Sequence, residues 1–594
     1  MIKLSDYVMD FLVAKGVKNI FMLPGGGAIH LDDSLGRCKN LEYTCFLHEQ
    51  AIAIAAESYG QFTNTPGVAL VTSGPGSTNT ITGVTAAYFD STPVFFISGQ
   101  AKSSDLKADS GVRQMGSQEV DIPTLVNPIT KYAITVLNPL KIRYHLEKAW
   151  HLATSGRMGP VWIDIPLDIQ AAMIDENILQ GFLPTKSEKE EVSNVDEVIR
   201  LLNDAKRPLI IAGNGIKLAN AQKEFVKFIE TNNIPTLLTW KTIDFLDYEH
   251  PLNYGSPGIM GNRCANFLVQ NSDLLIVIGS RLEPSVTAFD CENFGKNAIK
   301  VMVDIDEYEI NKISSIDLPI ISDAGKFLKS INRQQSKLDY QPRENWLRYA
   351  SDLKQKYPVI QEEYYTRDNG VNLYVFTEML FEQLKNNDII TPESSGAAGE
   401  VTYQAMKIKK GQLVKNAAGL GSMGFGLPYS IGAAIANPGK RTILINGDGA
   451  FQLNIQELET LTRLNLPIKI FIFDNNGYSS IMATQKNMFG GFYVGSEPGS
   501  GLTLPRLAAQ AKAYNIRYEE ADSHKTLKNV IAKTLTGTDP VICRIKVEDT
   551  HITMPKVQAM QLPDGGMKSK PLEDMFPYLS KEELAKNMIA ENTI

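Results

Sequence analysis

The amino-acid sequence predicts an α/β protein made of three doubly wound domains, each with a parallel sheet. First, short apolar runs alternate with helical patterns along almost the whole chain, as is typical of parallel α/β layers. Second, 594 residues are too many for one hydrophobic core. Third, two separate blocks share one order of strand, glycines, helix and strand, which suggests two related sheets in one chain.

The elements follow from apolar periodicity, block by block. The start, "MIKLSDYVMDFLVAKGVKNIF", predicts an amphipathic helix that leads into a strand. Next, "GVALVTSGPG" predicts a strand that ends in glycines, "STNTITGVTAAYFDS" a helix and "TPVFFISG" a second strand. The middle block contains "PLIIAGNG", "DLLIVIGSR" and "KVMVDID", typical of a doubly wound nucleotide-binding unit. The third block repeats the first with "RTILINGDG", "AFQLNIQELETLTRLN" and "LPIKIFIFDNN".

Charge-rich stretches predict the divisions between these blocks. The segments Pro184–Asn194 and Asn332–Asn345 have the composition of linkers. We therefore expect an N-terminal domain over residues 1–175, a central domain over 190–335 and a C-terminal domain over 365–546, followed by a tail over 547–594.

Composition excludes several classes of function. The net charge of −7 is mild and gives no reason to expect nucleic acid binding. No run of 18 apolar residues predicts a membrane span, and the N-terminus lacks the layout of a signal peptide. The five cysteines contain no CxxC pair, so we expect reduced thiols, no zinc site and a cytoplasmic location.

Asp448 and Asn475 are the clearest candidates for a metal site. Each comes directly after a predicted strand, and they are 27 residues apart (475 minus 448), about one helix, one strand and two loops. If the strands are parallel, both side chains lie at the carboxyl edge of the sheet, where doubly wound sheets bind ligands. Their oxygen atoms suit Mg²⁺, and Gly447 and Gly449 let the backbone approach a phosphate. Taken alone, "GDG" also fits a simple turn.

The wider sequence resembles the thiamine diphosphate (ThDP) enzymes, and most closely their acetolactate (acetohydroxyacid) synthase branch. The resemblance rests on "GDG" followed by "NN", and on "HEQAIAIAAESYG", "GVALVTSGPGSTNTITGV", "AAYFDSTPVFFISGQ", "GPVWIDIPLDIQ" and "GLGSMGFGLP" in the family's order. It covers nearly the entire chain. It implies that the first domain binds the cofactor's pyrimidine, the central domain is of the FAD or nucleotide type, and the third binds the diphosphate.

The resemblance also assigns roles to single residues. Asp448, Asn475 and the carbonyl of Gly477 would ligate the Mg²⁺ ion that binds the cofactor diphosphate. Glu49 matches the carboxyl that exchanges a proton with the aminopyrimidine, and Met423 the apolar residue that supports the bent cofactor. Other implied cofactor contacts are Gly421, Gly447, Gly449, Ala450 and Tyr478.

Further residues match the reacting part of the family's site. Gly25, Gly26 and Gly27 resemble a glycine-rich loop near the reacting carbons, where the family usually has Ala at the position of Gly27. Gln118 resembles an active-site glutamine, although a turn residue is the alternative. Lys131 and His30 are candidate pocket residues that could equally serve structural roles. The remaining pocket candidates are Ser117, Ile481, Thr484 and Gln485.

Acetolactate synthases carry FAD in the central domain, and the matching positions here predict FAD, with ADP or no ligand as alternatives. Acidic residues after the third strand suit ribose hydroxyls, and an arginine suits a phosphate. The implied residues are Gly213, Gly215, Thr239, Gly258, Gly279, Arg281, Asp304 and Asp306.

Two departures from the family bear on the acceptor substrate. Ser117 stands where acetolactate synthases have Phe, and Thr484 where they have a Trp that narrows the acceptor pocket. Smaller, polar residues would admit a larger polar acceptor. The tail "PLEDMFPYLSKEELAKNMI" also resembles members of surface-polysaccharide pathways, including the yersiniose-type flavoenzymes that add an acetyl unit to a nucleotide-activated keto-sugar.

The predicted function is therefore a carboligase that transfers an acetyl unit from pyruvate to a ketone, with a nucleotide-linked deoxy-keto-sugar as the favoured acceptor. The alternative is acetolactate synthase itself, with pyruvate or 2-ketobutyrate as acceptor. A plain decarboxylase is less favoured because none of the seven histidines is adjacent to another. A pyruvate oxidase and a catalytically silent paralogue are further alternatives. The resemblance also implies a homodimer or homotetramer with active sites between subunits.

Overall fold

The computed structural model describes residues 1–184, 192–339, 343–367, 369–548 and 551–589. Three parallel sheets of six, five and six strands form the chain, which confirms the predicted fold class. Most of the first predicted linker, residues 185–191, lies outside the described residues. The second predicted linker is only partly a linker, because Arg333 ends a helix and the buried Arg343 donates to the Leu202 and Asn232 carbonyls. The domain boundaries remain proposals.

The N-terminal part forms the first six-stranded sheet and a separate short antiparallel pair, Ile2–Lys3 with Met173–Ile174. Its strands are β1 (Ile2–Lys3), β2 (Asn19–Met22), β3 (Glu42–Cys45), β4 (Gly67–Val71), β5 (Val94–Gln100), β6 (Tyr132–Thr135), β7 (Val161–Pro166) and β8 (Met173–Ile174). Its helices are α1 (Leu4–Ala14), α2 (Ile29–Arg37), α3 (Glu49–Thr63), α4 (Pro75–Thr78), α5 (Ile81–Phe89), α6 (Ile122–Val126), α7 (Ile142–Thr154) and α8 (Leu167–Ala171).

The central part forms the five-stranded sheet. Its strands are β9 (Pro208–Ala212), β10 (Thr236–Leu238), β11 (Leu274–Ile278), β12 (Ile299–Asp304) and β13 (Leu318–Ile321). Its helices are α9 (Val195–Asp204), α10 (Gly215–Leu218), α11 (Gln222–Asn232), α12 (Arg263–Asn271), α13 (Pro284–Thr287), α14 (Glu307–Asn311), α15 (Ala324–Arg333) and α16 (Glu344–Lys356).

The C-terminal part forms the second six-stranded sheet and continues into a tail. Its strands are β14 (Ile389–Pro392), β15 (Leu413–Val414), β16 (Thr442–Gly447), β17 (Ile468–Asp474), β18 (Arg517–Ala521) and β19 (Val541–Lys546). Its helices are α17 (Leu373–Gln383), α18 (Gly396–Ala405), α19 (Gly426–Ala436), α20 (Asp448–Phe451), α21 (Glu457–Arg463), α22 (Ser479–Phe489), α23 (Leu507–Ala513) and α24 (His524–Thr534). The tail contains β20 (Ala559–Gln561), β21 (Met567–Ser569) and α25 (Lys581–Lys586).

The two six-stranded sheets have the same topology. The first has the order β3-β2-β4-β5-β7-β6 and the third β15-β14-β16-β17-β19-β18, so both follow the pattern 2-1-3-4-6-5 when each sheet is numbered from its first strand. The central sheet follows 2-1-3-4-5. In each sheet the strand order reverses between the first and third strands, which is where doubly wound sheets bind ligands.

The helix after the third strand is broken in both six-stranded sheets, whereas the sequence pattern predicts one continuous helix in each. In the first sheet α4 ends before Asn79, whose side chain donates to the Glu49 carboxylate. In the third sheet a short turn contains Asn454, whose side chain donates to the Gly424 carbonyl. Asparagine side chains that bond elsewhere favour turns over helix, which accounts for the breaks.

The chain packs as buried sheets between helical layers, and the first and third sheets share one core through α3 and α19. In the part of the chain that the structure describes, no helix is long and apolar enough to cross a membrane.

A buried carboxyl connects three strands of the first sheet. Asp164 on β7 accepts hydrogen bonds from Ser98 at 2.5 Å, Thr135 at 2.9 Å and Gln100 at 3.1 Å. Burial is the largest effect on it, and raises its pKa to about 7 despite these hydrogen bonds.

We expect the Asp164→Asn variant to lose a pH dependence of stability. The folded-state pKa lies above the unfolded value of about 3.9, so the folded chain holds a proton that the unfolded chain has lost between about pH 4 and 7. Stability of the unmodified protein therefore falls as pH rises through this window, whereas an asparagine does not titrate. In thermal unfolding from pH 5 to 7.5, Tm should decline more steeply for the unmodified protein. The same dependence of Tm on pH in both proteins would contradict the assignment of the raised pKa to Asp164.

The C-terminal tail packs on the outer face of the central domain. Every residue of α12 is buried, and Asn266 and Arg263 on this helix donate to the tail carbonyls of Leu572 and Pro577 at 3.0 and 2.6 Å. Met575 is 0% exposed in the core between the tail and α12. The tail is thus part of the central domain's core, which its sequence alone does not indicate.

We expect Met575→Ala to destabilise the protein by about 2–5 kcal/mol, because it removes a fully buried side chain and leaves a cavity. The first transition in differential scanning calorimetry should move to lower temperature. The matched control is Met567→Ala in the same tail, since Met567 is 51% exposed. Equal effects of the two substitutions would show that the tail adds nothing to this core.

Candidate functional site

The reversal point of the first sheet lies between the ends of β2 and β4. The turn Gly25–Gly27 follows β2 and packs against Thr72 and Ser73 after β4, where the Gly27 N–H donates to Thr72 Oγ1 at 3.1 Å. A side chain at Gly25 or Gly27 would overlap these two residues, whereas Gly26 faces open space. The predicted glycine loop therefore lies at the edge of the sheet, with one backbone position accessible.

Glu49 is the first residue of α3 and lies beside this turn. Its side chain is buried, and Oε2 accepts a hydrogen bond from Asn79 Nδ2 at 2.9 Å. Gly76, just past β4, packs against the other carboxyl oxygen. Glu49, Gly26 and Gly27 are thus positioned at one edge of one sheet, where a buried carboxyl is available for proton exchange.

Gln118 reaches the same edge from a long loop between β5 and β6. It has a left-handed backbone, with φ of 57°, and its carbonyl packs against Gly74 in the segment after β4. Ser117 and Gln118 are both exposed. The buried Glu119 carboxylate organises the loop by accepting from the backbone N–H groups of Lys107, Met115 and Gly116.

Lys131 and His30 are two candidate pocket residues that take no part in the contacts described above. Lys131 extends along the turn before β7, with Gly159 against its chain and its ammonium group donating to the Ser155 carbonyl at 2.7 Å. Burial lowers its pKa to about 8. His30 is half-buried on α2, next to the glycine turn.

The reversal point of the third sheet brings the predicted metal ligands into mutual contact. β16 and β17 are parallel neighbours, as predicted, so Asp448 and Asn475 leave the same edge. Asp448 Oδ2 accepts from the Asn475 N–H at 3.1 Å and from the Gly477 N–H at 3.2 Å. Asn475 Nδ2 donates to the Gly477 carbonyl at 2.8 Å. One carboxylate, one carboxamide and one carbonyl oxygen therefore converge.

These three groups fit a magnesium ion. All donor atoms are oxygens, as Mg²⁺ prefers, and they are few enough to leave coordination positions for phosphate and water. Burial and the nearby Asp474 raise the pKa of Asp448 to about 7, and among the described residues no lysine or arginine forms an ion pair with its carboxylate. A divalent ion supplies the compensating charge.

A third segment at this edge, Glu393–Gly396 after β14, was not predicted from the sequence. Glu393 is buried and accepts from the N–H groups of Ser394 and Gly426 at 2.9 and 3.0 Å. It therefore joins the start of α18 to the start of α19. Burial raises its pKa to about 7. The signal for it was available, because "ESSG" directly follows an apolar run that is the first strand of its sheet.

Met423 lies in the loop that precedes α19, between two glycines with left-handed backbones. Gly421 has a φ of 65° and Gly424 a φ of 87°. Met423 itself is half-buried, and Gly424 packs against Asn454. The loop is thus shaped by glycine and leaves the methionine side chain partly accessible.

The turn after Gly477 is covered by a returning segment. The Tyr478 ring packs directly over Gly449, which leaves no room for a side chain there, and the Tyr478 N–H donates to the Ser496 carbonyl at 2.9 Å. Gly447 faces open space and Ala450 is buried. Gly447, Gly449, Ala450 and Tyr478 therefore lie in the two segments that also carry Asp448 and Gly477.

Helix α22 carries the other pocket candidates and has no buried residue. Ile481 is 49% exposed, and Thr484 is exposed with its hydroxyl on the Ser480 carbonyl. Gln485 instead fixes the returning segment, since it accepts from Ser496 Oγ at 2.6 Å and donates to the Val494 carbonyl at 3.1 Å.

The central sheet opens into a cavity of about 750 Å³. That volume is within the range of cofactor sites. Its wall includes residues from the N-terminal, central and C-terminal parts of the chain, such as Asp90, Arg157, Arg281 and Ala418. The predicted central-domain residues that line it are Gly215, Thr239, Gly279, Arg281 and Asp304.

The other predicted central-domain residues lie behind the cavity wall. Gly213 packs closely on the Gly279 carbonyl and Gly258, with φ of 119°, on the Ser285 carbonyl, so neither position has room for a side chain. The Asp306 carboxylate accepts from Arg157 at 2.7 Å and from the Tyr308 N–H at 3.0 Å, which begins α14. It is therefore neutralised within the chain.

Three domain models of one enzyme family match the chain, in order. Residues 2–125 match the thiamine pyrophosphate enzyme N-terminal TPP binding domain, 195–331 the central domain and 395–545 the C-terminal TPP binding domain. The chain is 31% identical to the probable acetolactate synthase large subunit of Methanocaldococcus jannaschii, over 92% of both chains. It is 30% identical to the acetolactate synthase large subunit of Lactococcus lactis, over 93% of this chain and 94% of that protein. It is 29% identical to the acetolactate synthase isozyme 1 large subunit of Escherichia coli, over 93% and 95% respectively.

Proposed function

Because the chain belongs to the thiamine pyrophosphate enzyme family, among homologues of acetolactate synthase large subunits, we propose that it catalyses the acetolactate synthase reaction. Pyruvate would lose CO₂ and its two-carbon unit would join the ketone of a second 2-keto acid, either pyruvate or 2-ketobutyrate. The observation that carries the proposal is the convergence of Asp448, Asn475 and Gly477 in a chain that aligns with such proteins over 92% of its length. The proposed reaction is of the carboligase class, as is that of the acetolactate synthases to which the chain is similar.

The chain's own residues have two tasks at the third sheet. Asp448, Asn475 and the Gly477 carbonyl would bind Mg²⁺, and Gly447 and Gly449 would leave space for phosphate oxygens. Met423 would support the cofactor from below. When bound, thiamine diphosphate supplies a carbon nucleophile and an electron sink for decarboxylation.

At the first sheet the chain would manage protons and orient the keto acid. The buried Glu49 carboxyl would give and take a proton at the cofactor's pyrimidine ring. Gly26 would let the reacting carbons approach the backbone, and Gln118 would donate to a substrate oxygen. His30 and Lys131 remain weaker pocket proposals, because neither has a contact that directs it to this edge.

We also propose FAD as the ligand of the central cavity. The cavity volume of about 750 Å³ and the arginine and acidic residues on its wall support a dinucleotide. Arg281 would bind a phosphate and Asp304 a ribose hydroxyl, whereas Asp306 is engaged by Arg157 and would act indirectly. ADP is the alternative ligand.

A homodimer with active sites between the subunits is supported by exposed apolar side chains beside both sheet edges. Leu47, two residues before Glu49, and Met115, in the loop that carries Gln118, are each 53% exposed, and Phe489 at the end of α22 and Phe492 just after it are 63% and 75% exposed. Apolar side chains clustered in this way are typical of surfaces that another protein covers. A cytoplasmic location stays a prediction.

The second candidate acceptor is a larger polar ketone such as a nucleotide-linked keto-sugar. The observation that favours it is the small, exposed pair Ser117 and Thr484, at positions where the family has aromatic residues. The curated relatives reported above give no support to the keto-sugar branch, so this acceptor ranks second.

The deciding experiment is an incubation with pyruvate alone in the presence of Mg²⁺, ThDP and FAD, with CO₂ release followed and the product identified by NMR. Rapid acetolactate formation is the expected result. Slow CO₂ release with little acetolactate would instead favour the larger acceptor. No CO₂ release from any 2-keto acid, with ThDP bound, would support the silent paralogue.

We expect the double substitution Ser117→Phe and Thr484→Trp to narrow the acceptor site. Refilling an acceptor pocket changes discrimination between acceptors by roughly 10-fold or more. The readout is the ratio of acetohydroxybutyrate to acetolactate from equal concentrations of pyruvate and 2-ketobutyrate. Asn487→Trp, an exposed position on the same helix, is the control and should leave the ratio unchanged. An unchanged ratio in the double variant would remove both residues from the pocket.

A further inference from the structure

We propose that Lys241 and Asp90 form a bridge that couples ligand binding in the central cavity to cofactor binding at the third sheet. The proposal rests on the proposed nucleotide and ThDP sites, and it adds that each site changes the affinity of the other. Lys241 and Asp90 would act as positioning residues, because neither reaches the metal ligands.

The cavity side of the bridge is the turn after β10. Trp240 and Lys241 both line the cavity, and Phe89 and Asp90 at the end of α5 line it from the first domain. A ligand in the cavity therefore contacts, or lies next to, both members of the bridge.

The cofactor side of the bridge is the loop that carries Met423. Lys241 Nζ donates to Asp90 Oδ2 at 2.6 Å, to Gln61 Oε1 at 3.1 Å and to the Asn416 carbonyl. The other oxygen of Asp90 accepts from the Gly419 N–H at 2.9 Å. One ammonium group and one carboxylate thus fix the backbone at Asn416 and Gly419, just before Gly421 and Met423.

Other titratable groups surround the bridge. Asp90 has a neighbouring carboxyl, Glu57, whose pKa is raised well above its ordinary value by burial and then by Asp90 itself. The raised pKa of Glu57 favours its protonated form, and Lys241 pairs with Asp90 at 2.6 Å. Further titratable groups at this junction are Lys217, Lys415 and Asp244; burial lowers the pKa of Lys217 well below its ordinary value, and Lys415 pairs with Asp244 at 2.8 Å.

The bridge has alternative hydrogen-bond partners close by. Among the described residues, Glu57 Oε2, Asn416 Oδ1 and the Tyr429 hydroxyl are buried without a hydrogen-bond partner. Buried polar atoms of this kind favour rearrangement towards any partner that moves within reach. A shift of Lys241 can therefore change the hydrogen bonding of the loop before Met423.

A second contact runs in parallel. The Trp240 ring stacks on the Tyr403 ring, with centroids 4.6 Å apart and planes inclined by 5°. Tyr403 lies on α18, which begins at Gly396, directly after β14 of the third sheet. Two neighbouring residues of the cavity wall therefore contact two separate elements of the cofactor domain.

Isothermal titration calorimetry tests the coupling directly, without a measurement of turnover. ThDP with Mg²⁺ is titrated into the protein with and without saturating FAD, and FAD is titrated with and without ThDP and Mg²⁺. We expect each ligand to raise the affinity of the other by the same factor, at least about 5-fold, because coupling between binding sites is reciprocal.

The Lys241→Met variant should reduce this factor to about 1, while each ligand still binds alone. Asp90→Asn is the second variant, because it removes the charge but retains an oxygen for the Gly419 N–H, and it should also weaken the coupling. The matched control is Lys469→Met, which removes a buried ammonium group that donates to the Thr536 and Asp539 carbonyls, at the amino end of β17. It should keep the coupling of the unmodified protein.

Independent affinities in the unmodified protein would overturn the proposal, as would full coupling in both bridge variants. If neither FAD nor ADP binds, the coupling proposal falls together with the central-cavity ligand. The results distinguish this proposal from the proposed reaction. Coupling without acetolactate formation would support the bridge and contradict the proposed reaction. Acetolactate formation without coupling would contradict only the bridge.

Discussion

Substitution of Asp448 by alanine is expected to abolish magnesium-dependent retention of ThDP. Asp448 is the only carboxylate among the proposed ligands, and it also accepts the N–H groups of Asn475 and Gly477. Its removal takes away the charge that binds the cation and the hydrogen bonds that bring the other two ligands together. We expect the affinity for ThDP at saturating Mg²⁺ to fall by at least about 100-fold, more than is typical for loss of an outer-shell partner.

The measurement is calorimetric titration of ThDP at several Mg²⁺ concentrations, supported by retention through gel filtration. Asp474→Asn is the control, because Asp474 lies at the same sheet edge but pairs with Arg544. The Asp474→Asn variant should still bind ThDP in a magnesium-dependent manner. Normal retention of ThDP by the Asp448→Ala variant would overturn the metal assignment.

Substitution of Glu49 by glutamine is expected to leave ThDP bound and to stop its activation. The carboxamide keeps the size of the side chain and an oxygen for Asn79, but it cannot exchange a proton. General acid–base groups contribute about 100- to 10,000-fold, so kcat should fall by that order. Exchange of the thiazolium C2 proton for deuterium, followed by NMR after acid quench, should slow in parallel.

Glu573→Gln is the matched control for this variant. Glu573 and Glu49 are each 9% exposed, and each accepts a hydrogen bond from a carboxamide, at 2.8 and 2.9 Å. Glu573 lies in the C-terminal tail, which packs on α12, away from the site edges of the first and third sheets. ThDP bound to the Glu573→Gln variant should exchange its C2 proton at the normal rate. Normal exchange in the Glu49→Gln variant would show that Glu49 has no part in the activation step.

The two variants together test where the active site is assembled. A heterodimer with Glu49→Gln in one chain and Asp448→Ala in the other is purified through two different tags. If each site takes Glu49 from one chain and Asp448 from its partner, one of the two sites is intact and about half of the activity returns. If each site forms within one chain, the heterodimer is inactive.

The sequence predicted most of the third-sheet site because that site follows from strand order. Asp448 and Asn475 end adjacent apolar runs, and parallel pairing brings the ends of adjacent strands together without further information. Glu393 was missed because it follows β14, which pairs with β16 in space, although Glu393 lies 49 residues before the start of β16 in the chain (442 minus 393). Pairing between such distant segments depends on tertiary packing.

The sequence by itself determined the three parallel α/β sheets, the repeated unit and the residues at the strand ends, because apolar periodicity and glycine positions are local properties. Only the tertiary structure decided that Asp306 is neutralised by Arg157, that Gln485 fixes a neighbouring segment and that the tail covers α12. It also decided that Lys241 and Asp90 join the N-terminal, central and C-terminal parts of the chain at one junction. Each of these contacts joins a side chain to a group whose position is set by the packing of other elements, and packing is a property of the folded chain as a whole.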